Sequence, residues 1–354
     1  MTEPCLHTRV EAPPVTIFGA GSWGTALAIA AASAGRTCTL WARREDAVEA
    51  MLRDGENAEY LPGAALPDGL RVTSDLESAA RAGVLWLFCT PSQSARGVAA
   101  SIAHLVTPAT MAYSASKGIE NGTLMTATEV LAESLPGIDR SRLGVLYGPS
   151  HAEEVAEGKP TAIVASGYAM DAARRVQAAF MTPLLRVYIN EDVRGVEIGG
   201  SVKNVLAIAA GMSDGLGGGD NTKAALITRG IAEIRRLGHA MGAQPTTFGG
   251  LTGLGDLVVT CMSRHSRNRH LGEQIGRGKS LAQAQAEMRM VAEGVRTTQS
   301  TYQLAQRYGI EMPITEAVHR ILFEGKPVLE AVVELMARSP KHEEWLPESL
   351  QECA

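Results

Sequence analysis

Cysteine is scarce, net charge is small, and the longest uncharged run is broken from within. The 354 residues include five cysteines (Cys5, Cys38, Cys89, Cys261, Cys353), scattered, odd in number and nowhere in a C-x-x-C spacing. This excludes a disulfide framework, gives no support to a zinc site, and points to a reducing cytoplasm. A net charge of −5, from 33 Lys+Arg against 38 Asp+Glu, excludes a globally basic nucleic-acid binder and leaves room for local phosphate pockets. The first dozen residues hold Glu3 and Glu11 and lack a basic stretch leading into an apolar run, which is the wrong grammar for a secretory signal. Ala12 to Gly35 carries no charged side chain, but Pro13, Pro14, Gly19, Gly21 and Gly24 interrupt it, so it does not read as a membrane span.

What is present fits about two domains. From Val15 to about Asn190, short apolar β-branched runs alternate with alanine-rich segments, the pattern of βαβ units. Strands are expected at Val15–Phe18, Thr37–Ala42, Val84–Thr90, Met111–Ser114, Leu143–Leu146, Ala162–Ala165 and Leu184–Tyr188. Runs such as Trp86-Leu-Phe-Cys are apolar on consecutive residues, as in a parallel sheet covered on both faces. The fold class is therefore α/β, a Rossmann-type doubly wound sheet followed by an all-helical domain. Helices are expected over Val193–Gly211, Thr222–Gly242, Leu281–Arg289, Thr297–Tyr308 and Ile314–Phe323. The resulting division is an N-terminal extension (1–13), a dinucleotide-binding domain (14–192), a helical substrate domain (193–339) and a C-terminal tail (340–354).

Gly19-Ala-Gly21-Ser22-Trp23-Gly24 sits directly after one expected strand and directly before a helix-forming Thr-Ala-Leu-Ala run. In that context G-x-G-x-x-G marks a dinucleotide site: Gly19 for the tight turn, Gly21 for close approach of the pyrophosphate, Gly24 for helix–strand packing. NAD enzymes carry an acidic residue about twenty positions on. Here Arg43 and Arg44 end the second strand instead, a guanidinium pair suited to a 2′-phosphate, so NADP is favoured. Glu45 and Asp46 keep NAD open.

Ser116-Lys117-Gly118 and Gly148-Pro-Ser150 follow later strands and should open on the same crevice, where ligands of open α/β sheets lie. Glu197-Ile-Gly-Gly-Ser-Val-Lys203-Asn204 places Gly199 and Gly200 one helical turn before a lysine set among Val202, Val205 and Leu206, so that side-chain-free backbone on the amine's face should admit a ligand closely. Desolvation there would lower the lysine's pKa towards acid–base use, whereas a snorkelling lysine at a helix crossing would need no such role. Asp256 follows a flexible glycine turn and is itself followed by Thr260. Ser266-Arg267-Asn268 lies in the densest basic cluster and offers the donors a phosphate requires. His265 and His270 lack partners at metal-ligand spacing, so no metal is expected.

Together these motifs resemble the NAD(P)-dependent glycerol-3-phosphate dehydrogenases of the bacterial soluble type. Ser213-Asp-Gly-Leu-Gly, Asn221-Thr-Lys-Ala-Ala-Leu and Glu293-Gly-Val add to the match, which covers about Val15 to Ala337. The resemblance implies Lys203 as general acid/base, with Lys117, Asn204, Asp256 and Thr260 as its catalytic companions. It implies Lys117, Gly148, Ser150, Lys203, Asp256, Ser266, Arg267 and Asn268 on the substrate. The dinucleotide would meet Gly19, Gly21, Ser22, Trp23, Gly24, Arg43, Arg44, Lys117, Ala152, Arg267, Val291 and Glu293. A homodimer and glycerol 3-phosphate supply for phospholipid synthesis are likewise implied. A β-hydroxyacid dehydrogenase is the alternative; the Arg267 cluster favours a phosphorylated substrate over it.

Overall fold

The computed structural model describes residues 10–288 and 290–340. Among the described residues ten strands occur: β1 (Val15–Phe18), β2 (Cys38–Trp41), β3 (Glu56–Asn57), β4 (Leu61–Ala65), β5 (Arg71–Thr73), β6 (Leu85–Phe88), β7 (Met111–Ser114), β8 (Leu143–Tyr147), β9 (Thr161–Gly167) and β10 (Leu185–Asn190). Eight of them form one sheet in the order β10-β9-β8-β7-β6-β1-β2-β5, and β3 pairs with β4 as a separate hairpin. Every residue of β1, β2, β6, β7 and β8 is buried, because helices cover both faces of the sheet. This accounts for their unbroken apolar runs. The edge strand β10 instead alternates buried and exposed residues over its first four positions.

All seven expected strands occur, but the sheet is not parallel throughout. Strand β9 runs antiparallel to β8, and β10 runs parallel to β9, so the last two strands reverse direction. Tyr113 of β7 lies across the reversal. A Cβ on Gly144 would stand 2.4 Å from its ring, and one on Gly167 would stand 2.2 Å from its hydroxyl, so the seam closes only with glycine at both places. The short β5 and the β3–β4 hairpin were not expected from sequence, since strands of two to five residues, β4 among them with Pro62 and Gly63, show no periodicity.

After β10 the chain becomes helical. Asp192 caps the helix Val193–Gly215, accepting hydrogen bonds from the amide of Gly195 (2.9 Å), the amide of Gln244 (2.9 Å) and the hydroxyl of Thr247 (2.6 Å). This central helix is buried on nearly all sides, with Asp220–Ala240, Asp256–Met262, Arg267–Gly276, Glu293–Tyr308 and Pro313–Glu324 packed around it. It runs one turn beyond the expected Gly211, and the next helix starts at Asp220 and ends at Ala240. The helix expected over Leu281–Arg289 stops at Ala286, and Arg289 lies outside the described residues. The helix expected from Thr297 starts at Glu293, and that expected from Ile314 starts at Pro313. Asp256–Met262, Arg267–Gly276 and Val328–Met336 were not expected as helices.

Among the contacts that join the parts across the cleft, two come from the loop after β7. Ile119, from the loop after β7, is fully buried in the apolar core of the helical part, and Lys117 of the same loop reaches Asp256.

Candidate active site

The carboxyl ends of β1, β2, β6, β7 and β8 face the central helix across a cavity of about 560 Å³. Its walls include Gly19, Gly21, Ser22, Trp23, Arg43, Arg44, Lys117, Ser150, Lys203, Asn204, Asp256, Thr260, Ser266, Arg267, Asn268, Val291 and Glu293, residues brought together from across the chain.

At one end stands the glycine turn. Gly19 has φ +118°, and a Cβ there would lie 2.8 Å from the backbone carbon of Cys89. A Cβ on Gly24 would lie 2.0 Å from the Gly19 carbonyl oxygen, so this glycine is a packing requirement rather than part of the wall. Around the position of a Gly21 Cβ there is open space. The helix Ser22–Ser33 begins here with no side-chain cap and no acidic residue in its first turn, leaving amide donors and the positive end of its dipole for an anion. These features fit a dinucleotide pyrophosphate.

Next to the turn are residues that sequence reasoning missed. The Asn57 amide donates to the Ala20 carbonyl (2.9 Å) and to the Thr25 hydroxyl (2.8 Å), and the Ser22 hydroxyl donates to the Tyr60 carbonyl (2.7 Å). The β3–β4 hairpin thus braces the glycine turn, and Asn57 and Tyr60 join the cavity wall. A lone asparagine and tyrosine about forty residues downstream carry no motif that would have revealed this. Arg43 and Arg44 project from the end of β2, where Arg44 is paired with Glu59 and stands 3.7 Å from Asp46.

The centre of the cleft holds two lysines on one carboxylate. Asp256 is 1 % exposed, and its two oxygens take one lysine each: Lys117 Nζ at 2.7 Å on Oδ2 and Lys203 Nζ in close contact with Oδ1. Lys203 also donates to the Thr260 hydroxyl (2.7 Å), which itself donates to the Asp256 carbonyl. Lys117 donates further to the Gly148 carbonyl (2.8 Å), so Gly148 meets the site through its backbone, while the Ser150 hydroxyl donates to the same carbonyl (3.0 Å). Burial brings the Lys203 ammonium down to about 7; the Asp256 carboxylate opposes that shift and the Lys117 charge adds to it. Gly199 and Gly200, one turn before Lys203, press against Thr252 and Tyr147 rather than opening a face to a ligand. That corrects the expected role of the two glycines.

The far wall carries the basic cluster. The Ser266 hydroxyl caps the helix Arg267–Gly276 by accepting from the Arg269 amide (3.2 Å), which sets Arg267 and Asn268 in its first turn. Asn268 accepts from the Gly294 amide (2.9 Å), and Arg267 donates to the Val291 carbonyl (3.2 Å). Glu293, raised by burial, is held by the Ser92 hydroxyl (2.7 Å) from beyond β6. Ala152 is buried behind the wall against Trp23 and does not line the cavity. His151 and His265 were not assigned roles by sequence, yet they line the cleft with ring centroids 5.8 Å apart. Burial, then the nearby Lys203 charge, lower the His151 pKa.

This arrangement can bind an anion at each end and hold a proton donor of near-neutral pKa between them. Comparison with known proteins identifies it further. The family model described as NAD-dependent glycerol-3-phosphate dehydrogenase N-terminus matches residues 14–173, and its C-terminal counterpart matches residues 192–333. A glycerol-3-phosphate dehydrogenase [NAD(P)+] of Salinibacter ruber is 61% identical over 337 residues, covering 95% of this chain and 98% of the relative. One from Prosthecochloris aestuarii is 50% identical over 329 residues, covering 93% and 99%. Among solved structures, the glycerol-3-phosphate dehydrogenase of Coxiella burnetii superposes with a TM-score of 0.88 at 39% identity, covering 92% of this chain and 99% of that one. Ketopantoate reductase from Ralstonia eutropha, at 19% identity and a TM-score of 0.54, shares the fold alone.

Proposed function

This chain belongs to the NAD-dependent glycerol-3-phosphate dehydrogenase family, and from that premise we propose how its cleft interconverts dihydroxyacetone phosphate and sn-glycerol 3-phosphate. The observation that carries the reading is Lys203, buried and poised near neutrality on Asp256 and Thr260 beside a second lysine. When bound, NAD(P)H supplies the hydride in the reductive direction and NAD(P)+ accepts it in the other. Lys203 Nζ then donates the proton that the developing C2 alkoxide needs, or takes the C2 hydroxyl proton in reverse. Asp256 and Thr260 fix the position of Nζ, Lys117 polarises the carbonyl, and Asn204, 6 % exposed and on the cavity wall, orients the hydroxyl groups.

The substrate phosphate is read as lying against Ser266, Arg267 and Asn268, with Gly148 and Ser150 closing the opposite side. Arginine suits this task because its planar fork presents paired donors to phosphate oxygens. The dinucleotide is read as lying over Gly19, Gly21, Ser22 and Trp23, with Gly24 supporting the turn, Arg43 and Arg44 at the adenosine ribose, and Lys117, Arg267, Val291 and Glu293 around its nicotinamide end, while Ala152 acts only from behind the wall by packing against Trp23. The family match favours this reading over the β-hydroxyacid alternative, and the phosphate-ready wall agrees.

Supply of glycerol 3-phosphate for phospholipid synthesis in the cytoplasm is the place this reaction would hold. Among the described residues no helix is long and apolar enough to cross a membrane. A homodimer completes the reading, supported by exposed Leu329, Val333 and Met336 along one helix, and sedimentation would test it. The chemical assignment is tested with Lys203→Ala: turnover should fall roughly 10²- to 10⁴-fold, the usual worth of a general acid, with cofactor affinity retained. Near wild-type turnover in that variant would refute the role of Lys203.

A further inference from the structure

We propose that Glu59 sets the choice between the 2′-phosphorylated and unphosphorylated dinucleotide, by holding the Arg44 guanidinium that a 2′-phosphate would otherwise engage. The inference rests on the dinucleotide reading above and goes beyond it, naming a selectivity residue outside the motifs.

The two arginines at the end of β2 are not equivalent. Both line the cavity, but Arg44 already carries Glu59 and has Asp46 at 3.7 Å, while no carboxylate is paired with Arg43 among the described residues. Glu59 is not on a loose loop. It lies between Asn57, whose side chain is bonded to Ala20 and Thr25, and Tyr60, whose carbonyl accepts from Ser22. Two turns are thereby stitched together, and the carboxylate is held against Arg44 by the same bonds that brace the glycine turn. The Tyr60 phenol, on the cavity wall, is raised by burial and by its hydrogen bond to Glu59.

A phosphate monoester brings a charge of about −1.5 to −2 at pH 7. To reach Arg44 it must displace Glu59 and then remain near a carboxylate that repels it. A ribose hydroxyl is neutral and can donate to that same carboxylate. Glu59 therefore works against the phosphorylated cofactor alone, and two arginines in sequence give less preference for it than their number suggests. Both the pair and the repulsion are half-exposed, so their combined effect on selectivity should be about three- to tenfold and should shrink as salt rises.

The test compares wild type, Glu59→Gln and Arg44→Ala in the full-length protein, measuring NADPH and NADH dissociation constants by tryptophan fluorescence at low and high salt, with the KM values beside them. Glutamine keeps the shape and removes the charge. Glu59→Gln should tighten NADPH about three- to tenfold relative to NADH at low salt, and less at high salt; Arg44→Ala should weaken NADPH selectively. If Arg44→Ala weakens NADPH while Glu59→Gln leaves the ratio unchanged, or weakens both cofactors equally, the role of Glu59 is overturned and the site reading stands. If Arg44→Ala also leaves NADPH untouched, the 2′-phosphate reading of Arg44 fails and the role of Glu59 fails with it.

Discussion

A lysine ammonium held near pH 7 is the residue-level device on which the proposed chemistry turns. Desolvation disfavours the Lys203 ammonium and the Asp256 carboxylate favours it, and the balance suits a group that gives and takes a proton in the proposed reaction. In the proposed mechanism reduction needs protonated Lys203, so kcat/KM for dihydroxyacetone phosphate should fall as pH rises through about 7, while kcat/KM for glycerol 3-phosphate oxidation should rise over the same range. Because the Asp256 charge raises the Lys203 pKa, Asp256→Asn should move that inflection to lower pH as well as slow turnover. A pH–rate profile with the inflection unmoved in the variant would contradict the coupling. The lysine, the aspartate and the threonine were all legible in sequence. Their convergence on one carboxylate was not, because Lys117 and Asp256 are separated by 139 residues and only the tertiary fold brings them to 2.7 Å.

At the scale of elements, the site depends on how closely two helices approach. The central helix and Arg267–Gly276 interlock through glycines. A Cβ on Gly211 would stand 1.9 Å from the Arg269 carbonyl oxygen, and one on Gly272 would stand 2.0 Å from that of Ile208. Gly276 and Gly215 repeat the fit further along, at 2.3 Å from the Met212 carbonyl oxygen and 2.4 Å from that of Glu273. This contact fixes Arg267 and Asn268 relative to Lys203, and so the separation between the proposed phosphate contacts and the proposed proton donor. Gly272→Ala should therefore cost about 1–3 kcal/mol of stability by overpacking and raise KM for dihydroxyacetone phosphate, both readable from denaturation curves and steady-state kinetics. Asp192→Ala, which strips three hydrogen bonds from the junction of sheet and helices, should destabilise the fold by about 1–3 kcal/mol, read from the denaturation midpoint, with the site chemistry intact.

Elements of strong pattern were readable and weak ones were not. The buried parallel strands stood out at once, since a short run that is apolar at every position suits a strand covered on both faces and would be costly on one with a face in water. Arg267–Gly276 was hidden because its sequence, charged and carrying Gly272, reads as a surface loop; the glycine that disguises the helix is the one that lets it pack. The reversal of β9 and β10 was hidden for another reason. Strand direction leaves no mark on composition, and the glycines that allow it, Gly144 and Gly167, act through contact with Tyr113 on a different strand.

For the molecule as a whole, neither part holds a complete site. The dinucleotide turn and Lys117 come from the sheet, Lys203, Asp256 and Arg267 from the helices, and Ile119 locks one part into the core of the other. A ligand that spans the cleft should stabilise the whole chain: at one hundred times its dissociation constant, NADPH should add about 2.7 kcal/mol to unfolding, visible as a concentration-dependent rise in Tm. Hydride transfer to a phosphorylated ketone in this cleft is best checked by NADPH oxidation with dihydroxyacetone phosphate beside unphosphorylated dihydroxyacetone. Rapid oxidation is expected with the phosphorylated ketone and little with the other. Equal rates with the two, or tight NADPH binding with no turnover on either, would contradict it.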